Sequence, residues 1–175
     1  MIHLTSYSRR AEWGGPGRTV AAMALLPTWI RTRVDDQMPA LAPDADDLRD
    51  MRAALKRRES GAIGDYELDC CMAWYRRRYE SRLARLPEHG SQAQRAGHAI
   101  DGLRDDDTLV CTCAAPWKPD GSRNERRNPC HLELLAPVLF DWGYGVRLYG
   151  RALDGEWRPE DVGWPDAGLR PREEV

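Results

Sequence analysis

Short strand-forming runs alternate with longer stretches of helical periodicity along this chain, and that alternation leaves few architectures open. The run "IHLTSY", residues 2 to 7, alternates weakly and is rich in strand formers, so it reads as a first strand. A glycine-rich turn, "RRAEWGGPGR", follows, and then "TVAAMALL" reads as a short helix that stops before Pro27. "TWIRTRV", residues 28 to 34, puts Trp29 and Arg31 on one face and Ile30 and Val34 on the other, which suits a second strand. Asp44 is placed to cap a helix over residues 45–59, where Leu48, Met51 and Leu55 recur at helical spacing and Gly61 marks the stop. The strongest periodicity comes next. Leu68, Met72, Tyr75, Tyr79, Leu83 and Leu86 form one continuous stripe at spacings of three and four, opposite a cluster of arginines. A weaker helix over residues 91–103 precedes "LVCTC", residues 109 to 113, which reads as a buried strand. A helix over 131–142 with Pro137 inside it and a closing strand in "GVRLYGRAL" complete the pattern.

This order predicts an α/β fold, a small three-layer sandwich with a mostly parallel, Rossmann-like sheet of about four strands. A chain of 175 residues can bury a core of its own without metals or disulfides as staples. A single domain is expected over residues 1–153. Residues 154–175, rich in proline, glycine and charge, read as a tail or as a strap pinned by Trp157 and Trp164. No apolar run approaches the roughly 20 residues needed to cross a bilayer, and "MIHLTSYSRR" lacks a signal-peptide core, so no membrane partner and a cytoplasmic location are expected. Five cysteines, an odd number that includes the adjacent Cys70 and Cys71, do not suit a secreted disulfide framework. The net charge of −2 gives no bulk electrostatic case for binding nucleic acid.

The fold class says where to look for function. In open parallel sheets, ligands bind beyond the carboxyl ends of the strands. There the first strand is expected to deliver Thr5, Ser6, Tyr7 and Arg9, the second Arg31, Thr32 and Arg33, and the third Cys111 and Cys113. Cys130 and His131 open the next helix, after a loop that carries Arg126 and Arg127.

Three readings of the cysteine–histidine group stand side by side. Cys111 and Cys113, two apart and so on one face of a strand, suit small buried hydrophobes. Cys111, Cys113, Cys130 and His131 also make three sulfurs and one imidazole, a sufficient set for tetrahedral zinc, although the spacing is unlike paired C-x2-C knuckles. In the third reading, Cys130 is a nucleophile or redox thiol favoured by a helix N-terminus, with His131 as its acid–base partner or anion contact. Arg126 and Arg127 would then neutralise ligand charge. Elsewhere the signals are weaker. "WGGPGR", residues 13 to 18, suits either a phosphate-cradling nest of backbone N–H groups or a tight turn, and lacks the P-loop lysine and the dinucleotide glycine spacing, while His3, His89 and His98 have no partner in sequence.

"LTSY" in the first strand, "PALAP" before a helix, and "LKRRESGAIGDYELDCCMAWY" in the middle resemble the uncharacterised family catalogued as Domain of Unknown Function 488. Its strand-ending cysteine and Cys-His helix start are matched by "LVCTC" and "PCHLELL", so the resemblance spans about residues 1 to 150. A related group of phage-type proteins, with a Cys-Trp-Cys and Cys-His pattern, is resembled more closely still. The resemblance implies the fold and the rim site but no settled activity. Leu132 stands where the family has arginine, so any ligand contact of that arginine is lost or passes to Arg126 or Arg127.

The expectation is a small α/β protein that binds a phosphorylated or nucleotide-like ligand at the strand ends and acts on it through Cys130 and His131. A nucleic-acid-linked substrate fits the same reading, with the arginines of residues 76 to 85 on backbone phosphate. The alternative is a non-catalytic interaction module whose cysteines hold structural zinc.

Overall fold

The structure, a computed structural model, describes residues 1–7, 16–83, 91–112, 130–148 and 155–156. In chain order the elements are β1 (Ile2–Ser6), β2 (Thr19–Ala21), α1 (Thr28–Arg31), β3 (Asp36–Gln37), a 3-10 turn at Pro39–Leu41, α2 (Ala45–Glu59), α3 (Asp65–Leu83), α4 (Ser91–Asp101), β4 (Thr108–Cys111), α5 (His131–Asp141), β5 (Val146–Leu148) and β6 (Gly155–Glu156). They form one sheet in the order β3-β2-β4-β1-β5-β6. The first five strands are parallel and β6 runs antiparallel at the edge. The α/β class and the Rossmann-like sandwich expected from the alternation are present, with a sheet of six strands where about four were expected. β6 lies inside the segment read as a tail, so the sheet extends past residue 153; Trp157 and Trp164 lie outside the described residues.

Two expectations are corrected. Residues 19–21 are a strand, not the start of a helix. Thr19, Val20 and Ala21 are all buried, because β2 sits between β3 and β4 with both faces covered, and such a strand shows no alternation for a reader to find. Conversely, residues 28–34 are not a strand. Thr28–Arg31 make a single helical turn behind Pro27, with Ile30 buried and Trp29 exposed. The spacing of Ile30 and Val34, which looked like one face of a strand, fits a helix face equally well.

The two faces of the sheet differ: one is apolar, and the other mixes polar residues with the buried Val110 and Ala21. Register aligns Leu4 with Leu109, Leu109 with Val20, Leu4 with Leu148 and Ser6 with Cys111, which makes the first face apolar toward its middle. The alternate residues His3, Thr5, Thr19, Thr108 and Arg147 point the other way. The chain steps one way along the sheet from β2 to β3, and the other way from β3 to β4 and from β4 to β5. Right-handed crossovers therefore carry α1 across one face and α2 to α5 across the other. α5 packs over β1, β4 and β5 on the apolar face, and α3 packs on α5, α4 and α2. The expected stripe on α3 is buried at Met72, Tyr75, Tyr79 and Leu83 and half-buried at Leu68; Leu86 lies outside the described residues. Asp44 caps α2 as expected, accepting from the Asp46 N–H.

The amino ends of the strands are closed by charge. Arg18 donates from Nε and Nη2 to the two carboxylate oxygens of Asp107 at 3.0 and 2.7 Å, and the Arg104 N–H reaches Asp107 Oδ2 at 2.9 Å. Beside it Gly17, at φ +69°, lies so close to the Asp106 backbone that a Cβ would overlap the Asp106 carbonyl oxygen.

Candidate metal and thiol centre

The carboxyl end of the sheet holds a topological switch. β1 and β4 are neighbours, yet the chain leaves β1 toward β2 and leaves β4 toward β5, in opposite directions along the sheet. In open parallel sheets such a divergence leaves a crevice at the strand ends. Ser6 and Cys111, paired in register, are the last residues of the two strands.

Cys111 is fully buried and points to the side on which α5 lies. Cys130 is the N-cap residue of α5, in extended conformation, and His131 is the first residue of that helix. The Cys111 and Cys130 Sγ atoms are 3.2 Å apart. One donor atom from each of Cys111, Cys130 and His131 falls within 4.8 Å of the other two, and all three residues are buried. The helix N-terminus thus brings the imidazole and the second sulfur to a strand end nineteen residues away in sequence.

The imidazole is held in place. His131 Nε2 lies 2.8 Å from the carbonyl oxygen of Ala22, just beyond β2. A carbonyl can only accept, so Nε2–H is the donor in this contact. The Tyr79 ring meets His131 edge-on at 6.1 Å, and its hydroxyl donates to the Leu41 carbonyl at 2.7 Å. Burial pushes the Tyr79 hydroxyl well above its ordinary range, with Arg82 opposing, so the tyrosine acts as a neutral donor. Arg82 lies over the Tyr79 ring at 5.4 Å and donates to the Ala42 carbonyl. The "PALAP" segment is therefore the support on which the stripe of α3 rests where it faces the imidazole. Sequence reading took Tyr79 for core packing and found no role for the Ala22 carbonyl; a backbone acceptor leaves no mark in the sequence.

The expected rim residues divide. Ser6, Cys111, Cys130 and His131 come together on one side of the sheet. Thr5 is buried on the opposite face, and Tyr7 stacks edge-on against Trp29 of α1 at 5.4 Å. Arg31 and Arg33 are not delivered by a strand end. They are exposed on α1 and the turn after it, where the chain is already returning to the amino end of β2 through the Asp35 N–H to Thr19 carbonyl bond. Arg9, Cys113, Arg126 and Arg127 lie outside the described residues. On α3, Arg76 pairs with Glu80 at 2.6 Å, while Arg78 pairs with Asp47 at 2.8 Å and lies 4.9 Å from the Trp74 ring centre. Much of the arginine cluster is thus engaged within the fold. Among the described residues, no helix is long and apolar enough to cross a membrane. No family model, no curated protein and no solved structure matches this chain, so its chemistry is argued from its own geometry.

Proposed function

We propose that this is a metal-binding α/β protein whose Cys111, Cys130 and His131 hold a zinc ion at the carboxyl rim of the sheet. The observation that carries this reading is the convergence of two sulfurs and one imidazole nitrogen within 4.8 Å, from residues that are all buried. Thiolate and imidazole together suit zinc among the common divalent ions. With His131 Nδ1 as the ligand atom, Nε2 is held by the Ala22 carbonyl, the usual support for a metal-bound histidine. Burial weighs against the competing role of Cys130 and His131 as nucleophile and base toward a bulky phosphorylated or nucleotide-like substrate, since Cys130 is only 6% exposed and a ligand of that size needs open access to the sulfur. Cys113, two residues beyond Cys111 in sequence, is the candidate for the fourth donor.

Metal analysis of tag-free protein tests the reading. One zinc per chain is expected in the wild type, and a stoichiometry well below that in Cys130→Ser and His131→Gln. Retention of full metal by both variants, or a metal-free wild type that takes up no added zinc, refutes it. The sequence resemblance to the Domain of Unknown Function 488 family and phage-type proteins is compatible with this reading, since it rests in part on Cys111, Cys130 and His131.

A second reading has its own support. The switch point between β1 and β4, with Ser6 beside Cys111, is the position at which open parallel sheets take phosphorylated or nucleotide-like ligands. Such a ligand would sit over the metal centre, with Arg126 and Arg127 as candidate charge partners. Equilibrium dialysis against a nucleoside monophosphate distinguishes saturable binding, lost in Ser6→Leu, from none. Arg76, Arg78 and Arg82 of α3 are engaged within the chain, which weighs against a nucleic-acid partner at this face.

A further inference from the structure

Cys111 and Cys130 stand closer than two zinc-bound thiolates and farther apart than a disulfide. Their sulfurs are 3.2 Å apart. Two thiolates at about 2.3 Å from one tetrahedral zinc are roughly 3.8 Å apart, whereas a disulfide bond is about 2.05 Å. The two sulfurs belong to different elements, the end of β4 and the N-cap of α5, and the packing of α5 on β4 holds them face to face. Small movements in opposite senses lead to two chemically distinct states.

We propose that Cys111 and Cys130 form a reversible dithiol–disulfide pair, and that oxidation by a hydroperoxide expels the metal. The metal half of this inference rests on the zinc reading above; the disulfide half rests on the sulfur geometry alone. Cys130 reacts first. It is 6% exposed where Cys111 is 0%, so a small peroxide reaches its sulfur first. Its thiolate attacks one peroxide oxygen, the O–O bond breaks, and the leaving oxygen takes a proton to depart as water, or as an alcohol from an alkyl peroxide. The product is a sulfenic acid on Cys130. The Cys111 thiolate then attacks that sulfur, the S–S bond forms, the S–O bond breaks, and hydroxide leaves to become water. Two thiols lose two protons and two electrons, and the peroxide is reduced by the same two electrons. A disulfide offers zinc no thiolate, so the ion loses two of its donors at once. Cys70 and Cys71 cannot substitute for this pair, because adjacent residues on a helix point about 100° apart.

The test uses the full chain. Reduced, metal-free wild type and Cys113→Ser are treated with equimolar hydrogen peroxide, then mapped by tryptic mass spectrometry. Both are expected to lose two titratable thiols and to give a crosslink between the peptides that carry Cys111 and Cys130, reversed by dithiothreitol. The Cys113→Ser variant identifies Cys111 as the partner, since Cys111 and Cys113 share a peptide. Zinc-loaded wild type is expected to release its metal to a chromogenic chelator in step with thiol loss. Oxidation confined to Cys70 and Cys71, over-oxidation without a crosslink, or a crosslink that vanishes in Cys113→Ser overturns the pair. Zinc uptake with no crosslink removes the pair and upholds the metal site. A crosslink in protein that takes up no zinc upholds the pair and removes both the metal site and its coupling.

Discussion

Replacing Arg18 by methionine keeps most of the side-chain stem and removes the guanidinium that closes the amino end of β4. Asp107, whose side chain is 1% exposed, would then be a buried carboxylate held, among the described residues, by the Arg104 N–H at 2.9 Å. Orphaning a buried charge typically costs about 3–5 kcal/mol. The surviving N–H bond and the partial exposure of Arg18 place Arg18→Met near the low end, about 3 kcal/mol. Asp107→Asn removes the buried charge and leaves a cation that still reaches Asp36 at 3.3 Å, so it should cost less, about 1–2 kcal/mol. The double variant no longer buries an unpaired charge. It should cost no more than Arg18→Met alone, which gives a coupling of roughly 1.5 kcal/mol in a double-mutant cycle. With a urea m-value on the order of 2 kcal/mol per molar, Arg18→Met lowers the midpoint by about 1.5 M at unchanged slope. The pair lies four residues before Cys111, about 13 Å along the strand. Zinc stoichiometry in the folded variant should therefore match wild type. Additive single variants, or a cost below about 1 kcal/mol for Arg18→Met, would refute the account of Asp107 as a buried, paired charge.

Gly17→Ala forces a side chain into left-handed backbone and against the Asp106 carbonyl, and a loss of about 3 kcal/mol is expected in the same urea assay, with a loss under about 1 kcal/mol counting against it. His3 is buried on the polar face of the sheet, and desolvation holds its pKa below the ordinary 6.5 although Asp106 pulls it upward. The unfolded chain therefore takes up this proton near 6.5 and the folded chain only at lower pH, so the contribution is fully present above 6.5 and is lost as pH falls toward the folded value. His3→Gln should accordingly lose less stability than wild type between pH 7.5 and 5.5, and parallel pH profiles would exclude the mechanism.

Local sequence was sufficient where one element carries its own signal. Asp44 and the spacing of Leu48, Met51 and Leu55 define α2, and the stripe from Leu68 to Leu83 defines α3, because an amphipathic helix records its buried face at a period near 3.6. The alternation of strands and helices likewise determined the α/β class. β2 and α1 were exchanged in the reading because a three-residue strand buried on both faces and a one-turn helix are too short to display a period. The cysteines and histidine could be named from sequence, but three uses of them stayed open, since spacing along a chain does not fix distance through space. Only the tertiary structure decided that Cys111, Cys130 and His131 meet while Thr5 turns to the opposite face. Parallel register set Ser6 beside Cys111, and the packing of α5 across β1, β4 and β5 carried its first turn to the end of β4. Those are cooperative, long-range contacts, whose energies belong to pairs of elements and are written in neither segment alone.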